Sequence, residues 1–384
     1  MGVQGSEINY VEGYLESAKL LADMVVGEEM TSKRDTLIMP ILYNARHGLE
    51  LALKYAVTEL RAMDLVQRLE GRADHHILRY WRHLADANVP DRVVREIITG
   101  LEPFAASLSR IDVDGQQLRD FRTADDRRSL EGQAVVHLPL IRRSVTQLSM
   151  MLGELTARLA DMREQHSTGT RTTRCSRLDL AEIVEILGPH RTWMEDGFLN
   201  RKGEVMARFG LTKKAFSNSI DAIRKSRELA ARLGIETELK HLDDANVLWL
   251  AERWLEVYPP SSPDCGSMVI RPGQVGLDEV ERQSAAVWQL VTAVVGKLSL
   301  EECADVETIF YTGRNMEYGE YYESSLADTI RKYRQDRDRL LQHVNHVVSK
   351  TNLLVGLISG LRRVGRPSLA GRLADFLPSA DRSA

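Results

Sequence analysis

Along residues 39–61, Leu42, Ala45, Leu49, Ala52, Leu53, Ala56 and Leu60 recur at steps of three and four. Only an α-helix gathers such a spacing onto one continuous apolar face. Pro40 suits the first turn of that helix, where its missing amide would have no intrahelical partner. The opposite side carries Tyr43, Arg46, His47, Glu50 and Lys54. Arg46 to Glu50 and Glu50 to Lys54 are both four-residue steps, which makes these side chains neighbours able to form a charge-assisted chain. The plain expectation for Arg46, Glu50 and Lys54 is an ion network that orients the helix within a bundle. The alternative turns the same groups toward a ligand.

The helical period recurs along the chain. Ile8, Val11, Leu15, Ala18, Leu21, Ala22 and Val25 predict a helix over residues 8–29. Shorter helices are expected at 75–87 and 91–108, separated by a turn at Asn88-Val89-Pro90, and a longer one at 135–163. Residues 111–130 are polar and glycine-punctuated, which predicts a loop or short hairpin. Residues 1–165 thus form one bundle, and the aperiodic polar run 166–176 is a linker. A helical middle segment (177–258), a Pro/Gly-rich connection (259–276) and a C-terminal helical region (277–384) follow. The expected fold class is all-α. In the last region a single long helix is expected over 321–363, because Leu326, Ile330, Tyr333, Arg337, Leu340, Val344, Val347, Thr351, Leu354, Ile358 and Leu361 alternate four- and three-residue steps. Such a seam needs a partner helix, either in the same chain or across a two-fold axis, and a homodimer is expected.

A chain of 384 residues can bury more than one core. Charged residues make up 28% with both signs interspersed and a net charge of −4, so any contact with RNA or DNA must rest on a local basic surface. Cys175, Cys265 and Cys303 are far apart and without Cys or His neighbours at metal spacing, which predicts neither disulfides nor a metal site. There is no run of eighteen apolar residues and no basic-then-apolar start, so the expectation is a cytoplasmic protein with no membrane contact. Glycine-rich phosphate loops, nucleophile elbows and dinucleotide fingerprints are absent from the sequence, and no cofactor is expected.

The segment Tyr43-Asn44-Ala45-Arg46-His47-Gly48-Leu49-Glu50-Leu51-Ala52-Leu53-Lys54, followed by Asp74-His75-His76-Ile77-Leu78-Arg79-Tyr80-Trp81, resembles HEPN-like helical bundles over roughly residues 5–165. The resemblance implies a four- or five-helix bundle, often dimeric, in a superfamily that contains RNA-cutting toxins and defence proteins beside inactive relatives. It also implies that an active member carries an arginine separated from a histidine by four to six intervening residues. Arg68 and His75 match that spacing, as do Arg337 with His343, where Asp338 follows the arginine, and Arg339 with His346.

On a continuous helix Arg339, His343 and His346 share one face, whereas Arg337 falls on the apolar seam. Arg337, Arg339, His343 and His346 are therefore the candidate catalytic group. A neutral imidazole would take the 2′-hydroxyl proton of RNA while a guanidinium stabilised the charged phosphorus centre, without metal. Against this, Lys332, Gln335, Asp336 and Lys350 continue the same face as a solvated stripe.

Residues 204–220 read as helix, glycine turn and helix, a helix-turn-helix whose second helix would enter a major groove. The step from Ala207 to Gly210 is one residue shorter than usual in that motif. Lys213, Lys214, Arg224 and Lys225 are its candidate nucleic-acid contacts. Two readings stand: a HEPN-like protein that binds RNA or cleaves it without metal in a prokaryotic toxin or defence setting, or a non-catalytic HEPN-like scaffold or DNA-binding regulator.

Overall fold

The computed structural model describes residues 5–27, 31–71, 74–120, 122, 137–259 and 277–377. The regular structure among these residues is helical, with no β-strand, and they divide into two compact units, Met1–Asp179 and Leu180–Ala384. Among them no helix is long and apolar enough to cross a membrane.

The first unit holds α1 (Glu7–Gly27), α2 (Arg34–Ala62), α3 (Ile77–Asp86), α4 (Arg92–Gly100), α5 (Glu102–Ile111) and α6 (Leu138–Ser167). Helix α2 packs against α1, α3 and α6, so it is buried on more than one side. Its Leu49, Ala52, Leu53, Ala56 and Leu60 share a core with Leu15 and Ala18 of α1, Ile77 and Leu84 of α3, and Leu148, Leu152 and Leu155 of α6. Gly48 allows the close approach of α1, since a Cβ there would lie 2.8 Å from Leu15 Cγ. Helix α2 starts at Arg34, earlier than the sequence suggested, and Pro40 lies inside it. The helix therefore forgoes one amide hydrogen bond near its start, a local loss that its extensive burial outweighs. The expected helix over 91–108 is two, broken at Gly100-Leu101 ahead of Pro103.

This unit runs beyond the expected linker to Asp179 because buried polar groups tie that segment to α4. Asp91 caps α4 by accepting the Val94 amide at 2.9 Å, and its other oxygen accepts Arg158 Nη2 at 2.6 Å. Asp179 accepts the Arg92 amide at 3.2 Å and the Ser176 amide at 3.1 Å. Both carboxylates are wholly buried. Burial would raise the Asp91 carboxyl, but Arg158 outweighs it and holds the group below the usual range. For Asp179, burial together with the Asp91 charge outweighs the amide bonds from Ser176 and Arg92 and pushes it up to about 6.

The second unit takes in most of α7 (Arg177–Leu187), then α8 (Phe198–Arg208), α9 (Lys213–Lys225), α10 (Arg227–Arg232), α11 (Asp244–Val257), α12 (Leu277–Lys297), α13 (Leu300–Arg314), α14 (Tyr322–Gln335), α15 (Leu340–Val348), α16 (Leu353–Arg363) and α17 (Pro367–Ala374). The connection expected at 259–276 lies, apart from residue 259, outside the described residues. Helix α11, assigned from sequence to the middle segment, shares one core with the C-terminal helices through Leu250, Ala251 and Trp254. At the centre of that core is α13, opened by a capping box at Ser299 and Glu302 and buried on every side from Cys303 to Phe310. Two acids are enclosed with it. Asp305 accepts Tyr322 Oη at 2.8 Å and the amides of His241 and Leu242, and Glu307 accepts Tyr333 Oη at 2.6 Å.

The long helix expected over 321–363 is not continuous. It breaks at the 3-10 turn Arg337–Arg339 and again at 349–352, giving α14, α15 and α16. The seam survives the breaks: Leu326, Tyr333, Val344, Val347, Leu354, Ile358 and Leu361 all enter the same core. Helices α14 and α16 pack on α13 and α15 packs on α12, so the partners this seam requires are in its own chain. Glycines make the tightest of these contacts. A Cβ on Gly313 would stand 2.0 Å from the Gly356 carbonyl oxygen, and one on Gly360 would stand 1.9 Å from that of Ile309.

Candidate functional site

The Arg46 motif is enclosed. Arg46 is 1% exposed, and its guanidinium is spent on the protein. Nε donates to the Asp112 carbonyl at 2.9 Å, Nη1 to Glu50 Oε2 at 3.1 Å, and Nη2 to the carbonyls of His75 at 2.7 Å and Val113 at 3.3 Å. The other Glu50 oxygen receives Lys54 Nζ at 2.6 Å and faces His75 Nδ1 at 2.9 Å. Burial would raise the Glu50 carboxyl, but these bonds from Lys54 and His75 outweigh it and leave it below the usual range. The loop after α5 is held by the same arginine. Its Asp112 carboxylate folds it by accepting the amides of Gly115, Gln117 and Leu118. Gly115 has φ +84°, and a Cβ there would lie 3.1 Å from Arg46 Nη1. His47 lies edge-on to Tyr14 and stacks on Tyr43, and burial lowers its pKa. The motif is thus a clamp that joins α2 to two distant loops.

The C-terminal candidates fall on two adjoining elements, the 3-10 turn Arg337–Arg339 and α15. Arg337 lies in the 3-10 turn, with its side chain outside the described part of the structure. Arg339 is exposed at the start of α15. The His343 ring stacks on Tyr333 at 4.9 Å, and its Nε2 is buried with no hydrogen-bond partner among the described residues. His346 Nε2 lies 3.0 Å from Tyr311 Oη. Burial and the Glu307 charge push the Tyr333 phenol well above its ordinary range, so Tyr333 keeps its proton and donates it to Glu307. The two imidazoles are each set against a different tyrosine of the core. Arg68 and His75 also part: Arg68 is in the loop after α2, whereas His75 is bound to Glu50. Among the described residues, no cluster of three or more His, Cys, Asp or Glu could hold a metal.

In the middle segment α8 is joined to α9 by a turn at Gly210. Helix α8 ends in a Schellman turn in which the Leu211 amide donates to the Met206 carbonyl at 2.9 Å and the Gly210 amide to that of Ala207. Gly210 takes φ +62°, the left-handed conformation that such a turn demands. Phe209 and Leu211 are buried on either side of it, and Thr212 caps α9 by accepting the Ala215 amide at 3.2 Å. The short step from Ala207 is resolved here. Ala207 is exposed, and half-buried Met206, four residues before the glycine, takes the packed position.

Helix α9 buries Phe216, Ser219, Ile220 and Ile223. Lys202 of α8 lies over the Phe216 ring at 5.1 Å, and Arg208 of α8 pairs with Glu182 of α7 at 3.2 Å, which fixes the three helices together. The exposed side of α9 presents Lys213, Lys214, Ser217, Asn218, Asp221, Arg224 and Lys225, four cations against one acid. Lys213, Lys214 and Lys225 have no ion-pair partner among the described residues. Arg224 is steadied by His190, 3.4 Å away, in a 3-10 turn whose Trp193 lies tilted against His190 and stacks on Phe198. Beyond the four cations expected from the sequence, Ser217 and Asn218 lie on the same face, as their step from Lys213 and Lys214 requires.

No family model, characterised protein or solved structure matches this chain.

Proposed function

We propose that this protein is a non-catalytic, HEPN-like helical scaffold that binds duplex DNA through α9. The observation that carries this reading is the capped, glycine-turned pairing of α8 with α9. It leaves a rigid helix with Lys213, Lys214, Arg224 and Lys225 outward and Ser217 and Asn218 between them. Cations of this kind neutralise phosphates and supply affinity, while short amide and hydroxyl side chains hydrogen-bond base edges in a major groove. The chain's net charge of −4 requires the attraction to be local, and this helix is local. Metal-independent RNA cleavage has less support, because His343 and His346 are engaged with Tyr333 and Tyr311.

The test is fluorescence anisotropy with a labelled duplex of mixed sequence, read as a function of salt. Binding should weaken steeply with added salt. Replacing Lys213, Lys214, Arg224 and Lys225 together by alanine should reduce the slope of log K against log salt by roughly 3–4. A variant that binds like the parent, or a parent that does not bind at low salt, would refute the proposal.

A further inference from the structure

Independently of α9, the first unit contains a cleft of about 510 Å³ between the C-terminal end of α2, the loop that follows it and the start of α3. Arg61, Arg68 and Arg79 all line it, together with the Thr58 hydroxyl and the apolar surfaces of Val57 and Leu69. Its volume falls within the range of small-molecule sites, and its mixed lining suits an anionic ligand with an organic body.

The charges in this cleft are poorly balanced from within. Arg79 is paired with Asp74 and donates to the Glu70 carbonyl. Arg61 and Arg68 have no carboxylate partner among the described residues. Two guanidinium groups without a carboxylate on one concave surface favour an anion between them.

The walls are also fixed in advance. Arg79 staples the loop to α3, which Gly71 permits: its φ is +89°, and a Cβ there would stand 2.9 Å from Arg79 Nη2. His83 Nε2 holds the Gln67 carbonyl at 2.9 Å. At the end of α2, the carbonyls of Glu59, Leu60 and Arg61 accept the amides of Met63, Leu65 and Asp64, so the exposed negative end of that helix is largely neutralised.

We propose that this cleft binds a small phosphorylated organic molecule. Arg61 and Arg68 would clamp the phosphate, and the organic part would lie on Val57 and Leu69. Guanidinium groups are matched to phosphate because their planar donors engage two oxygens at once.

Isothermal titration calorimetry of the full chain at constant ionic strength tests this. The probes are a sugar phosphomonoester, inorganic phosphate, the unphosphorylated sugar and a short single-stranded RNA. The phosphomonoester should bind at least tenfold more tightly than inorganic phosphate and the bare sugar. Arg61→Gln and Arg68→Gln, both exposed and therefore not needed for folding, should each weaken it at least tenfold, with melting temperature unchanged. Equal binding of phosphomonoester and inorganic phosphate would overturn the organic part of the claim. Tighter binding of the RNA would assign the cleft to nucleic acid instead, and binding that survives both substitutions, or no binding at all, would remove the site.

Discussion

Asp179→Asn should make the first unit more stable at neutral pH than at mildly acidic pH, relative to the parent. Asp179 is wholly buried beside Asp91, and its carboxyl is pushed from 3.8 to about 6. The folded protein therefore holds a proton on Asp179 at pH values where the unfolded chain has released it. Stability from this group is fully present below about pH 4, falls as pH rises through the folded value near 6, and is then lost. The span of roughly 2 pH units corresponds to about 3 kcal/mol. Asparagine keeps an oxygen for the amides of Arg92 and Ser176 but never ionises. The variant should thus differ little from the parent near pH 4 and gain on it by about 2 kcal/mol between about pH 4.5 and about pH 7. Hydrogen exchange of the α4 amides, taken as the ratio of parent to variant at each pH, reads this locally and cancels the intrinsic pH dependence of exchange. It also cancels groups common to both proteins, such as His47 and His166, whose pKa values are lowered by burial and whose effect on stability runs the other way. The ratio should rise by roughly 30-fold over that interval. A ratio that does not change with pH would refute the account of Asp179 as an ion forced into the core.

Three further outcomes follow from the packing. Arg46→Met should cost about 3–5 kcal/mol, because it leaves Glu50 buried with one partner fewer and three loop carbonyls unbonded; an unchanged melting temperature would show that the clamp is not structural. Gly360→Ala should destabilise the second unit by about 3 kcal/mol or more, since the new methyl meets the Ile309 carbonyl at 1.9 Å, whereas Gly371→Ala, with nothing within 4 Å, should shift stability by less than about 1 kcal/mol. Total RNA incubated with the protein without divalent metal should stay intact; cleavage lost on His343→Ala or His346→Ala would reinstate Arg339, His343 and His346 as a reactive group.

The sequence by itself determined the helices, because the three- and four-residue apolar steps of α1, α2 and α6 are local and allow no other regular structure. It also determined the Arg46–Glu50–Lys54 chain and the basic side of α9, where neighbours in space are neighbours on one helix. What the tertiary structure alone decided lies between elements. The seam over 326–361 has the same period whether its helix is straight or broken, so its breaks at 337–339 and 349–352 come from α14, α15 and α16 folding around α12 and α13. In that arrangement His343 and His346 meet Tyr333 and Tyr311. The same limit hid Asp91 beside Asp179 and the cleft of Arg61, Arg68 and Arg79. Helical period reports which face of a segment is apolar, but a charge is balanced or left unbalanced by residues from other segments, and only the folded chain brings them together.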